Sequence, residues 1–140
     1  MAQTAVKFVS GASRAIDHTP SAAVTAGDVV VQGGLTAVAK SDIAANVQGA
    51  LHVGGVWDFP LVTGGSAVTV GTDIYWDADG SPVSGTALSG AATATSTGNT
   101  YLGRAIPKDG AAAGANAAAA TDAYVRVLMC EVTPDVAIGS

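Results

Sequence analysis

The chain has 140 residues, of which 49% are hydrophobic and only 12% charged, with a net charge of −5. That length suits one domain with flexible margins, able to bury on the order of two-thirds of its unfolded surface without metal or disulfide staples. The charge lacks the lysine excess of a nucleic-acid binder, and Gly, Thr, Ser or Asp interrupts every apolar run before the roughly 20 residues of a bilayer span, so neither nucleic acid nor membrane is expected as a partner. The start, with Lys7 and no long apolar stretch behind it, does not read as a secretory signal. The expected setting is a cytoplasm, or a particle assembled in one.

The texture of short β-rich runs separated by glycine turns predicts an all-β fold, a sandwich or barrel, with little support for helix. Residues 1–23 read as an extended amino-terminal arm, 24–133 as a β domain and 134–140 as a flexible tail. In the arm, Ala2 to Ser13 contains Val6, Phe8 and Val9 but few turn residues, which predicts a strand that pairs only when a partner supplies an edge. Asp17-His18 beside Pro20 reads as a surface turn. The clearest element follows: Asp28 to Gln32, then Gly33-Gly34, then Leu35 to Ala39, a hairpin whose glycines allow the positive φ of a tight turn.

From Val47 to Phe59, Leu51 and Val53 alternate against His52, and Gly54-Gly55 predicts a bulge where the strand bends. Val68-Thr69-Val70 is a further extended piece. Thr72 to Asp77, the turn Ala78-Asp79-Gly80 and Ser81-Pro82-Val83 read as a second hairpin, with Pro82 placing the returning strand at an edge. Ser84 to Thr97, built almost wholly from small residues, reads as a surface loop. Thr100 to Ile106 and Tyr124 to Val132 complete the strands, with Val125, Val127 and Met129 on one face of the last. Ala111 to Ala120 is an extended loop or a short helix, weakened as a helix by Gly114 and Asn116. Cys130, the single cysteine, reads as a buried, inert thiol.

The residues that could carry chemistry are few. His18 and His52 are the only imidazoles, no G-x-S-x-G elbow is present, and no catalytic residue is assigned. Asp73, Asp77 and Asp79 resemble part of a calcium loop but lack its distal Glu, and turn-forming aspartates account for them equally. Gly64-Gly65-Ser66 and Gly11-Ala12-Ser13-Arg14 lack the ending that cradles phosphate. Neither metal nor cofactor is expected, and an enzyme is not. Aromatic residues are only 5% of the chain, and Trp57, Phe59, Tyr75 and Trp76 hold most of the large rings. Because neighbours on a strand face opposite sides, Tyr75 and Trp76 cannot both enter one core, so these four are candidates for a subunit interface as well as for the interior.

The succession Gly27-Asp28-Val29-Val30-Val31, Gly33-Gly34-Leu35, Val38-Ala39, Asp42-Ile43-Ala44, Gly55-Val56-Trp57-Asp58-Phe59-Pro60, Gly71, Ile74-Tyr75-Trp76-Asp77, Gly103 and Val125-Arg126-Val127 resembles the phage DUF2190 family of capsid decoration proteins, over roughly Val24 to Leu128. The resemblance implies a small β-barrel or β-tulip-like domain attached to the outer face of an HK97-type capsid, commonly as a homotrimer at three-fold positions. It implies the major capsid protein as partner, with the amino-terminal arm, including Val6, Lys7, Phe8, Val9 and Arg14, along the capsid surface. The stretch from Ala111 to Ala120 is longer than the family's usual link, and Gly54 stands where an acidic residue is expected. Recombinase labels attached to some members find no nucleotide-binding loop here. The competing reading is a carbohydrate-binding β module, for which Trp57 and Trp76 are the only aromatic pair available to line a groove.

Overall fold

A computed structural model describes residues 3–12, 14–108 and 116–129. Among them the regular elements are all strands: β1 (Lys7–Ser10), β2 (Ala15–His18), β3 (Val29–Gln32), β4 (Leu35–Ala39), β5 (Gly49–His52), β6 (Gly55–Pro60), β7 (Asp73–Asp77), β8 (Ala91–Thr93), β9 (Thr100–Ala105) and β10 (Tyr124–Met129). They form two antiparallel sheets, one of six strands in the order β1-β6-β10-β9-β7-β8 and one of four in the order β2-β5-β4-β3. The all-β class is as the sequence implies, but neither sheet closes into a barrel. Each remains an open sheet, with β1 and β8 outermost in one and β2 and β3 in the other, and the arrangement is that of a small sandwich.

The reason lies in how the chain changes sheets. Strand β1 pairs with β6 in the larger sheet, with Lys7 opposite Asp58 and Phe8 opposite Trp57. Strand β2 pairs with β5 in the smaller one, from Ala15 opposite His52 to His18 opposite Gly49. Between them the Val53 amide donates to the Arg14 carbonyl at 2.8 Å. The two stretches are therefore one antiparallel ribbon that bends from sheet to sheet. At the bend Gly11 and Gly55 have φ of +91° and +93°, and a methyl on Gly11 would stand 3.7 Å from the Gly55 Cα. A positive φ at both turning points is what glycine supplies at least steric cost. The bulge expected at Gly54-Gly55 is thus a passage between sheets.

This corrects the expected arm. Its residues do not wait for a partner's edge, because β6 and β5 of the same chain supply one. The Val6 amide also donates to the Gly27 carbonyl at 2.9 Å. Gln3 turns its side-chain amide on Val29, donating from Nε2 to the carbonyl at 3.0 Å and accepting from the N–H at 2.8 Å.

The main core lies on the inner face of the six-stranded sheet, where Trp57, Phe59, Ile74, Leu102, Val125 and Val127 are fully buried. Val125, Val127 and Met129 do share that face, while Leu128 points out. Val29 and Val38 reach the same core from the smaller sheet. The alternate residues Ala37, Ala39 and Leu51 face a second cluster with Ile43 and Val53. The smaller sheet is rolled around that cluster: strands three places apart in a flat sheet stand about 14 Å from each other, yet His18 Nδ1 on β2 and Gln32 Nε2 on β3 are 3.1 Å apart.

The β3–β4 hairpin forms as the sequence implies, with Gln32 opposite Leu35. The Ser84 to Thr97 segment does not stay a surface loop. Its Ala91–Thr93 stretch is β8, buried and paired with β7, Ala92 opposite Trp76. Just before it, a side chain on Gly90 would collide with Trp76, since a Cβ there would come within 2.4 Å of the ring. Ser81 to Val83 pairs not with β7 but with the 61–63 stretch, through Val83 N–H to the Leu61 carbonyl and Thr63 N–H to the Ser81 carbonyl, each 2.8 Å. Of the alanine-rich run, Ala117 and Ala118 are buried and extended against Val68. Its first part, Cys130 and the tail lie outside the described residues.

On β9, an added methyl at Gly103 would fall 2.0 Å from the Leu128 carbonyl oxygen of the neighbouring strand. Main chain cannot rotate away as a side chain can. Gly103→Ala is expected to lower stability by about 3 kcal/mol or more, read from denaturant unfolding. Gly34→Ala, with nothing within 4 Å of the new methyl, is expected to stay within about 0.5 kcal/mol of the parent.

Candidate docking surface

The four aromatic residues proposed for a subunit interface separate by face. Trp57, Phe59 and Trp76 are 1%, 0% and 3% exposed. Trp57 donates its indole N–H to the Gly54 carbonyl at 2.8 Å, and the Phe59 and Trp76 rings lie 6.3 Å apart. They are core side chains, with no surface left for another subunit. Tyr75, on the opposite face of β7, is half-buried and meets Tyr101 edge-on at 5.6 Å. It is the one of the four with a face still to give.

The residues proposed for capsid contact also divide. Val6 is buried in the main core and Val9 is half-buried. Lys7 is exposed, its Nζ 4.7 Å above the Tyr124 ring. Phe8 keeps 40% of its surface in solvent, although it packs edge-on against Trp57 at 4.9 Å. Above it, Lys40 sets its Nζ 4.0 Å from the ring centre. Arg14 is exposed where the ribbon passes between sheets. Strand β1, the outermost strand of the larger sheet, thus presents an exposed aromatic ring capped by Lys40 on one face, and Lys7 on the opposite face beside Tyr124.

Beside it the sheet's outer face is laced by ion pairs. Arg126 on β10 stands opposite Asp58 on β6 and grips it with two hydrogen bonds, Nε to Oδ1 at 3.0 Å and Nη2 to Oδ2 at 3.2 Å. Both side chains are largely shielded, at 14% and 19% exposure. Arg104 meets Asp73 at 3.4 Å in a more open pair. Alternation alone places Asp58 and Arg126 outward, but only the β6–β10 pairing shows that they meet. Lys40 and Tyr124 gave no local signal at all, because each matters through a residue far off in sequence.

No group of three or more His, Cys, Asp or Glu suited to a metal occurs among the described residues. Asp73 is held by Arg104, while Asp77 Oδ1 accepts from the Asp79 N–H at 3.1 Å in the turn-forming role. His18 meets Gln32 and His52 lies 6.2 Å from the Trp57 ring. The recess of about 330 Å³ beside β8 is lined by Ser66, Thr69, Thr72, Thr93 and Thr95 but by no aromatic side chain. The two tryptophans a saccharide groove needs are in the core.

A family model described as phage cement protein matches residues 9–128, from within β1 to the penultimate residue of β10. The chain belongs to the phage cement protein family. No curated protein and no solved structure matched it. Membership makes it a structural phage protein associated with the capsid, in keeping with the resemblance drawn from the residues. In this cement protein the surface built on β1, β6 and β10 is the most chemically distinctive exposed region.

Asp58→Asn, which keeps the shape and removes the charge, is expected to cost about 1–2 kcal/mol of stability, as a shielded charge-assisted pair loses one partner. A thermal melt against the parent measures it. A second expectation concerns pH. Burial, then the nearby Lys40 charge, hold the His52 imidazole below its ordinary value of 6.5. The unfolded chain therefore takes up a proton there before the folded one does, and stability present above that value is lost as pH falls through it. Melting temperature is expected to drop from pH about 7.5 to about 5.5, and His52→Gln to flatten that drop.

Proposed function

We propose that this chain is a decoration subunit on the outer surface of an HK97-type phage head, where it strengthens the shell against the pressure of packaged DNA. The observation that carries the reading is the cement-family match from residue 9 to residue 128, which spans all but the first two residues of β1 and the last of β10. The partner in this reading is the major capsid protein, met through Lys7, Phe8, Val9 and Arg14. Val6 anchors β1 from within. The protein acts as a homotrimer, and Tyr75 is the aromatic residue best placed to serve its subunit contact.

The energetics suit such a role. A trimer seated on a three-fold touches several capsomers at once, so each contact after the first forms at a high effective concentration, and modest individual contacts suffice. A ligand that binds only the intact lattice shifts the equilibrium against disassembly by mass action. The work is done by binding energy and needs no reaction. The carbohydrate-binding alternative loses its support with Trp57 and Trp76 in the core.

Sedimentation of the free protein is expected to give a trimer at micromolar concentration. Heads heated with and without it are expected to come apart at clearly different temperatures, the decorated ones later. A monomer would remove the trimer from this reading, and equal disassembly temperatures would remove the cementing role.

A further inference from the structure

The free side of β1 combines three properties that bear on its partner. It is an edge: β6 occupies one side, and among the described residues no strand lies on the other. An edge strand aims alternate N–H and C=O groups outward and will accept an extended peptide. It carries Phe8, a large ring 40% exposed and braced from behind by Trp57 at 4.9 Å. It is also locally basic in a chain of net charge −5. Lys7 and Lys40 are both exposed, and each is steadied over an aromatic face, at 4.7 Å from the Tyr124 centre and 4.0 Å from that of Phe8. An ammonium held over a ring keeps donors free for a carboxylate, and the ring limits the orientations it must give up on binding.

We infer that β1 is the docking edge for an extended, acidic segment of the capsid protein, which adds as a strand beside β1, covers Phe8 and sets its carboxylates against Lys7 and Lys40. This rests on the capsid-binding reading above and gives that contact its chemistry. The charge pattern selects the occupant. A second copy of this acidic chain brings a surplus of carboxylates, but among the described residues only Asp17 lies on an outermost strand, β2, and the others sit in turns or on inner strands. An extended acidic segment of the capsid protein supplies both, its main chain the strand pairing and its side chains the carboxylates.

The test uses undecorated heads and the full chain, with binding measured by co-sedimentation over a range of salt concentrations. Wild-type binding is expected to weaken as salt rises. The double variant Lys7→Glu/Lys40→Glu is expected to bind on the order of tenfold or more weakly, with only a small drop in melting temperature from the lost ring contacts and the new Glu opposite Asp58, and Lys7→Arg/Lys40→Arg to bind as wild type does. Because Phe8→Ala can loosen Trp57, the lysine variants carry the test. Hydrogen exchange through residues 7–10 is expected to slow on the head, as new backbone hydrogen bonds form. Wild-type affinity in the Glu double variant, or unchanged exchange through 7–10, would overturn the inference and leave the capsid reading standing. Normal head binding with loss of self-association would assign the edge to another copy, which also overturns it. A wild-type chain that binds no head would sink the capsid reading, and this inference with it.

Discussion

A single backbone constraint organises the molecule: the ribbon made of β1, β2 and their partners must serve two sheets at once. Strand β1 takes the outer place beside β6, and β2 takes the outer place beside β5. The ladder can turn between sheets only where both of its strands bend together. Gly11 and Gly55 meet at that corner, each in a conformation that side chains resist. Everything that distinguishes the surface depends on it. Had the ribbon continued straight, Phe8 and Trp57 would not lie near Lys40 and His52, which belong to the other sheet.

The cores built on that frame are economical. With so few aromatic residues, the two tryptophans fill volume that would otherwise take several aliphatic side chains, and the chain adapts its neighbours to them. Gly90 leaves room for the Trp76 ring where a side chain would collide with it, and Ala92 pairs with Trp76 across the ladder. The same economy appears where β9 meets β10, with the Leu128 carbonyl lying where a Gly103 side chain would be. A high content of small residues here reflects close approach of backbones, and not an absence of structure.

Much of this was legible in the sequence, and the failures have identifiable causes. The β3–β4 hairpin and the inward set Val125, Val127 and Met129 followed from turn chemistry and two-residue periodicity, which are local properties. Strand β8 looks like loop in the sequence because Ala and Thr carry little hydrophobic signal, and their value comes from a tryptophan about 16 residues earlier, beyond the reach of periodicity. The arm looks unpartnered in the sequence because the strand that pairs with it lies about 50 residues on, and strand pairing is a tertiary choice. The docking surface was half visible: Lys7 and Phe8 could be named, but Lys40 and Tyr124 join them only through the fold. Trp57 and Trp76 were ambiguous in sequence since alternation tells which residues share a face and not which face is covered.

The amide of Gln3 has a further bearing on how the protein behaves when crowded. By donating to one main-chain group of Val29 and accepting from the other, it occupies the place a neighbouring strand's peptide would take. Strand β3 is the outermost strand of its sheet, rich in valine and partly exposed, the kind of edge along which identical molecules zip into fibrils. A single side chain set across its first residue acts as a stopper against that growth. The two ends of the ribbon-built fold are therefore unequal: the β3 edge is closed to strangers at its first residue by the chain's own glutamine, and the β1 edge is left open.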